Sequence, residues 1–205
     1  MSNSALFPTA AFDVVALATS AGGLNALDQL LSALPANFPA AIVVVQHLSR
    51  HSPTVLPQLL RRHTALKVKL AQQGDPLTPA TVFIAPPNHH LLVNPEGTLQ
   101  LTQTELVNFT RPAADPLFKS LAVNLGQRTI AVVLTGTGDD RAAGIKAIKS
   151  AGGMTIAQDE CSAQFKGMPT AAIATGTIDL VLPLDQIAPM LIKLLNGANQ
   201  AHEQS

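Results

Sequence analysis

The chain is poor in aromatic side chains and in cysteine. Phenylalanine supplies its aromatic residues, 3% of 205 positions, and neither tryptophan nor tyrosine occurs. Because bases and sugars bind by stacking on aromatic rings, platforms of that kind are excluded. The single cysteine, Cys161, excludes an intramolecular disulfide framework and favours a reducing compartment.

An excess of charge and long apolar runs are absent as well. The 13 basic and 13 acidic residues give a formal net charge of zero, and no basic stripe indicates nucleic acid or a membrane surface. No apolar run approaches the roughly 18 residues of a membrane span, and the N-terminus lacks the pattern of a signal peptide. We therefore predict a cytoplasmic protein without membrane insertion.

Hydrophobic residues make up 47% of the chain, in short runs that alternate with amphipathic segments. Strands are predicted at 12–18, 41–46, 66–71, 81–85, 90–93, 98–102, 129–135, 154–157 and 178–182. Helices are predicted at 23–34, 53–62, 116–125, 141–151, 169–174 and 186–195, with Asp115 and Asp185 as caps of the third and the last. This order predicts a doubly wound α/β fold, with a mostly parallel sheet, flanking helices and a small antiparallel hairpin near 88–102. One domain is expected over 12–195, between a flexible lead at 1–11 and a polar tail at 196–205.

The most informative local pattern lies at residues 13–23. A short apolar strand through Ala18 ends in Thr19-Ser20, and two glycines then lead into an amphipathic helix. Ser20 is therefore predicted at a strand-to-helix turn, beside free backbone N–H groups and the positive end of the helix dipole. A hydroxyl at such a turn can be a helix cap, a phosphate ligand or a nucleophile.

Two further reactive side chains follow parallel strands. His47 comes after strand 41–46 and Asp140 after strand 129–135, so both are expected at the same sheet edge as Ser20. A hydroxyl, an imidazole and a carboxylate are the groups of a serine-hydrolase triad. The N–H groups after Ser20 and in the turn at 136–138 are candidate donors to an oxyanion.

Each of these residues alone has a simpler interpretation. Ser20 and Asp140 can be helix caps, and His47 can be a hydrogen-bonding residue at a strand end. The turn at Ser20 is not a G-x-S-x-G elbow, a dinucleotide fingerprint or a P-loop. His47 and His51 have the spacing of metal ligands but lack the glutamate of the zinc motif, so no metal site is expected.

Six sequence blocks occur in an order that is specific to one enzyme family. They read V-V-A-L-A-T-S-A-G-G, V-V-V-Q-H-L, V-F-I-A-P-P-N-H-H, R-P-A-A-D-P-L-F, V-V-L-T-G-T-G-D-D-R-A-A-G and T-I-A-Q-D-E followed by F-K-G-M-P-T-A-A-I. Over residues 12–195 the chain resembles the protein-glutamate methylesterases of bacterial chemotaxis, the CheB type.

This resemblance implies a role for each candidate residue. Ser20 matches the nucleophile, His47 the base, Asp140 the orienting carboxylate, and Thr137 a backbone N–H donor to the oxyanion. The second donor that we predict, the N–H of Ala21, follows from its position directly after Ser20. The implied reaction is hydrolysis of glutamate γ-methyl esters, with possible deamidation of glutamine, on methyl-accepting chemoreceptors or similar helical signalling proteins. The resemblance implies no metal and no organic cofactor.

Three departures from the family pattern motivate other hypotheses. Ala18 and Ala21 replace the usual glycine and threonine around the nucleophile, and Arg141 replaces a glycine after Asp140. Only about 11 residues precede the first strand, too few for the usual receiver domain, so a separate regulator is expected. The alternatives are a catalytically weak or inactive interaction module in a bacterial signalling complex, and a binder of phosphate-bearing small ligands at the Ser20 turn.

Overall fold

We describe residues 6–7, 12–47, 54–138 and 142–196 of the chain from its computed structural model. Nine strands are present in this part: β1 Val14–Thr19, β2 Ala41–Gln46, β3 Lys67–Leu70, β4 Thr81–Ile84, β5 His90–Val93, β6 Leu99–Thr102, β7 Thr129–Val133, β8 Met154–Gln158 and β9 Leu180–Leu182. The six α-helices of the same part are α1 Gly23–Ser32, α2 Leu56–Leu60, α3 Ala114–Asn124, α4 Ala142–Ser150, α5 Gly167–Ala174 and α6 Leu184–Asn196.

Seven strands form one wholly parallel sheet in the order β3-β4-β2-β1-β7-β8-β9, and β5 and β6 form a separate antiparallel pair. The predicted fold class is confirmed, and every strand ends within two residues of its predicted bounds. The chain reverses its direction of strand addition at β1, which has β2 on one side and β7 on the other. Such a switch point opens a crevice outside the carboxyl ends of the strands.

Two helix caps were predicted wrongly. Helix α3 begins at Ala114, so Asp115 lies inside its first turn and its carboxylate accepts the N–H of Gly144 at 2.9 Å instead of capping its own helix. Helix α6 begins at Leu184, so Asp185 also lies inside a first turn. Its carboxylate still interacts favourably with the positive end of the helix dipole there. The helix predicted at 53–62 is shorter, Leu56–Leu60.

The sheet is buried on both faces, as the apolar strand sequences predict. In β1 the side chains alternate between two core clusters, with Ala16 in one and Leu17 in the other. Helices α3, α4 and α5 and the β5–β6 hairpin cover the first face, and helices α1, α2 and α6 cover the second. Within the part of the chain that the structure describes, no helix is long and apolar enough to cross a membrane.

The start of β1 is held by a fully buried carboxylate. Asp13 receives a bidentate pair of hydrogen bonds from Arg128, from Nη2 at 2.7 Å and from Nε at 3.0 Å. Its two oxygens also accept the backbone N–H groups of Leu6 and Phe7. Asp13 has no exposed surface, so its charge depends on these partners.

We predict that Asp13→Ala lowers the free energy of unfolding by about 3 kcal/mol, because it leaves the guanidinium of Arg128 and two backbone N–H groups without their acceptor. Asp28→Ala is the matched control, since the pair of Asp28 with His63 lies at the surface and is worth less than about 1 kcal/mol. Urea unfolding measures both, and equal losses in the two variants would contradict the prediction.

Candidate active site

Ser20 lies in a tight turn between β1 and α1. The N-cap position of α1 is Gly22, which has a φ of 76° and makes no side-chain cap, so the interpretation of Ser20 as the helix cap is wrong. The carbonyl of Ser20 accepts the N–H of Gly23 at 2.9 Å, and its own N–H is donated to the carbonyl of Thr135 at 3.1 Å. Glycine adopts this left-handed backbone conformation at little cost in free energy, because it has no Cβ atom. Ser20 is half-buried in this turn.

His47 is brought beside Ser20 by the register of two parallel strands. Thr19 of β1 pairs with Gln46 of β2, so the next residue of each strand stands at the same sheet edge. The N–H of His47 is donated to the carbonyl of Thr19 at 3.1 Å. The side chain of Gln46 links both residues, since its Nε2 donates to the carbonyl of Ser20 at 2.7 Å and to that of His47 at 3.4 Å.

The turn after β7 reaches Ser20 from the other side. A Cβ atom on Gly136 would lie 2.8 Å from the Cβ of Ser20 and 1.9 Å from the sulfur of Met168, so only glycine fits there. This close approach places Thr137 and Gly138, the next residues, at the mouth of the Ser20 turn.

These residues enclose one cavity of about 360 Å³, which we call the Ser20 cavity. Residues at the sheet edge form one wall of the cavity: Ser20, His47, Thr137 and Gly138. Residues of the segment 107–115 form the other, which we call the opposite wall: Val107, Asn108, Thr110, Ala113, Ala114 and Asp115. The sheet-edge residues were predicted to meet. The opposite wall was missed, although its Asp115 belongs to the R-P-A-A-D-P-L-F block of the resemblance.

The remaining predicted site residues are Asp140 and Ala21. Asp140, together with Arg141, lies outside the described residues. Ala21 adjoins Ser20, and its carbonyl accepts the hydroxyl of Thr135 at 3.2 Å.

The family of the chain follows from comparison of its sequence with known proteins. A sequence model of the CheB methylesterase family matches residues 15–191. The chain belongs to the CheB methylesterase family.

Its relatives and a solved structure agree with this assignment. It is 42% identical over 190 residues to a protein-glutamate methylesterase/protein-glutamine glutaminase of Moorella thermoacetica, covering 91% of this chain and 45% of the relative. It is 36% identical to a putative protein of that name from Leptospira interrogans, covering 89% of this chain and 95% of the relative. The crystal structure of the Thermotoga maritima CheB methylesterase catalytic domain matches with a TM-score of 0.85 at 37% identity, covering 89% of this chain and 98% of that one. The chain spans about half the length of several curated relatives.

The opposite wall of the cavity of this CheB-family domain is tied to the helices behind it. Asp115 is buried, and its Oδ1 accepts the N–H of Gly144 in the first turn of α4. Its other oxygen lies 4.0 Å from Nζ of Lys119. A carboxylate placed in this way holds α3 against α4, and it adds negative charge to the cavity wall.

A buried histidine fastens the segment that leads into this wall. His90 has no exposed surface; its Nε2 lies 3.0 Å from the carbonyl of Glu105, and its Nδ1 accepts the N–H of Ala113 at 3.2 Å. This pattern assigns the neutral imidazole with its proton on Nε2. Burial lowers the pKa of His90 below 6.5; the bond to Glu105 opposes this shift, and the charge of Arg111 adds to it.

We predict that His90 makes the protein less stable in mild acid. In the unfolded chain His90 binds a proton near pH 6.5, whereas in the folded protein it does so only at lower pH. The free energy of unfolding therefore falls as the pH drops below about 6.5. Above that pH, His90 is neutral in both states and the full stability is present. His90→Gln should flatten this dependence between pH 7 and 5 in urea unfolding experiments. The same slope in wild type and variant would show that His90 does not contribute.

Proposed function

We propose that this chain hydrolyses the γ-methyl esters of glutamate side chains in proteins. The observation that carries the proposal is that Ser20 and His47, from adjacent strands, line one cavity in a fold of the CheB methylesterase family. In serine hydrolases a serine is the nucleophile and a histidine the base of acyl transfer, and we assign these roles to Ser20 and His47.

The reaction would proceed in two acyl-transfer steps. Oγ of Ser20 attacks the ester carbonyl while His47 takes its proton; the C–OCH₃ bond then breaks, and His47 returns the proton to the departing methanol. Water next attacks the acyl carbon while His47 takes its proton; the bond from this carbon to Oγ of Ser20 then breaks, and His47 returns the proton to Oγ. The products are free Ser20 and a glutamic acid that ionises to the carboxylate. Asp140 would hold the imidazole in the correct tautomer, a role that rests on the match of the G-D-D motif to the family pattern.

The oxyanion of each tetrahedral intermediate needs N–H donors. The N–H of Ser20 itself is donated to the carbonyl of Thr135, so donors must come from elsewhere. We assign them to the backbone N–H groups of Ala21, which follows the nucleophile, and of Thr137, which lines the same cavity. Loss of one such donor typically costs about 3–4 kcal/mol of transition-state stabilisation.

We further propose that the substrate is a methyl-accepting chemoreceptor or a similar helical signalling protein in the cytoplasm. Support comes from the relatives, whose names give protein-glutamate methylesterase and protein-glutamine glutaminase activities. Deamidation of a glutamine requires the same attack on a side-chain carbonyl, with ammonia as the leaving group in place of methanol.

We predict that Ser20→Ala lowers the rate of methanol release from a methylated chemoreceptor fragment by at least about 10³-fold, because the nucleophile is lost. The measurement is release of radiolabelled methanol, with circular dichroism to confirm the fold. Ser32→Ala is the matched control: the Ser32 hydroxyl is exposed and bonds only the carbonyl of Gln29 among the described groups, so this variant should keep the wild-type rate.

A fluorophosphonate probe separates the catalytic proposal from its alternative. Wild type should be labelled and Ser20→Ala should not. A folded Ser20→Ala variant with full activity would refute the mechanism. Wild type that resists labelling and releases no methanol, yet binds the receptor fragment, would indicate the interaction module instead.

We also predict that Gln46→Met lowers kcat roughly tenfold while the free energy of unfolding changes little. The substitution removes the bond to the carbonyl of Ser20, so the nucleophile is less well positioned. It also removes the buried Oε1 of Gln46, which has no hydrogen-bond partner among the described residues, and this offsets the lost bond. Methanol-release kinetics and urea unfolding test the two parts, and an unchanged kcat would rule out a positioning role.

A further inference from the structure

The wall opposite Ser20 contains a strained turn at residues 107–110, which we call the wall turn. The N–H of Val107 is donated to the carbonyl of Thr110 at 3.2 Å, and the N–H of Thr110 to the carbonyl of Val107 at 3.0 Å. The two central residues, Asn108 and Phe109, have φ values of 50° and 62°. Positive φ at both central positions is typical of a type I′ turn, for which the favoured pair is Asn-Gly. Asn108 fits this preference and Phe109 does not.

The side chain of Phe109 is almost entirely exposed, so burial offsets little of this strain. It is 90% exposed, the highest value among the large hydrophobic residues of the described chain. In the isolated protein, both the strained backbone of Phe109 and the exposure of its apolar ring to water are unfavourable.

The position of Phe109 connects it to the active site. Its neighbour Asn108 lines the Ser20 cavity, and the two residues together line an adjoining surface recess of about 570 Å³. Leu106, also partly exposed at 37%, lies in the same recess. Phe109 thus lines a surface recess that adjoins the Ser20 cavity through Asn108.

The wall turn is firmly held. Arg111 donates from Nε and Nη2 to Oδ1 of Asn88, at 3.1 and 2.8 Å, and from Nη1 to the carbonyl of Gln103 at 2.9 Å. The hydroxyl of Thr110 donates to the carbonyl of Val107 at 2.9 Å. The ring is therefore presented on a braced loop, which keeps the entropy cost of a contact low.

We infer that Phe109 is a specificity-determining contact for the polypeptide that carries the ester, an inference that rests on the proposed function. A cavity of about 360 Å³ has the size of a small-ligand site, so it takes the modified side chain while the polypeptide stays outside, across the wall turn. An exposed aromatic ring there packs against an apolar side chain of an amphipathic helix, next to the glutamate, and is buried only in the complex.

The test compares a protein substrate with a small ester, using Phe109→Gly and Phe109→Asn, because both residues tolerate the left-handed backbone. For a methylated chemoreceptor fragment, KM should rise by about tenfold to thirtyfold while kcat stays within about twofold. For p-nitrophenyl acetate, kcat/KM should fall by no more than about threefold. The Tm of Phe109→Gly should rise by about 2–4 °C as the turn is relieved.

Two further variants complete the comparison. Phe109→Tyr should keep KM for the receptor fragment near wild type, because the ring remains. Val123→Ala is the matched control, since Val123 is 79% exposed on α3 and is not part of the lining of the Ser20 cavity. It should change neither substrate's kinetics.

Each outcome is decisive. An unchanged KM for the receptor fragment in both Phe109 variants, with active wild type, overturns the role of Phe109 and leaves the proposed function intact. Equal losses on receptor and small ester also overturn it, since the turn would then act on the cavity itself. Wild type that releases no methanol from the receptor fragment refutes the proposed function, and the inference falls with it.

Discussion

The active site depends on the parallel register of β1 with its two neighbours. Pairing of Thr19 with Gln46 aligns the ends of β1 and β2, and pairing of Ala18 with Val133 aligns β7 on the other side. A parallel register lets all three strands end at one edge, so three reactive segments far apart in sequence meet without any one loop being long. A slip of one residue would reverse the side chains of β1 between the two core clusters, and burial on both faces therefore protects the register.

Several local rules of stability are broken around this edge. Gly136 admits no Cβ beside Ser20, Gln46 buries an oxygen that lacks a partner in the described chain, and Phe109 takes a backbone conformation suited to glycine. The strands beneath are regular and apolar, and the fully buried Asp13 at the opposite end of β1 is well paired. Exceptions of this kind also occur at the other end of the sheet, where Ala80 has a φ of 53° and the buried hydroxyl of Thr129 lacks a partner in the described chain. Those around the cavity are the ones that the proposed chemistry can use.

The sequence predicts those parts of the site that are set by local interactions, and it misses those set by contacts between residues far apart in the chain. The edge position of Ser20 and His47 follows from two local strand signals and the rule for parallel sheets, so it was predictable. The role of Asp115 was not, because a proline after an aspartate looks like a cap from local sequence alone. Only the packing of α3 against α4, set by the whole fold, brings Gly144 to that carboxylate.

The opposite wall was missed for the same physical reason. Residues 103–113 carry no strand or helix periodicity, and their placement comes from the hairpin beneath them. That hairpin is fixed to α3 through Val93, whose N–H is donated to the hydroxyl of Ser120 and whose carbonyl accepts Nδ2 of Asn124. Such contacts leave no repeating pattern in a sequence.

The two walls of the cavity therefore have separate structural origins. The sheet-edge wall is set by strand register, so a substitution there disturbs packed neighbours on both sides. The opposite wall is a braced loop in which Val107, Asn108 and Thr110 line the cavity while Phe109 is exposed to solvent, so we expect that Phe109 can change without moving Ser20 or His47. A fold built in this way is suited to keep the proposed acyl-transfer chemistry constant while the outer face of one loop varies. The contact that we propose for Phe109 would explain its strain, because the ring would contribute to binding a protein substrate and not to the stability of the isolated chain.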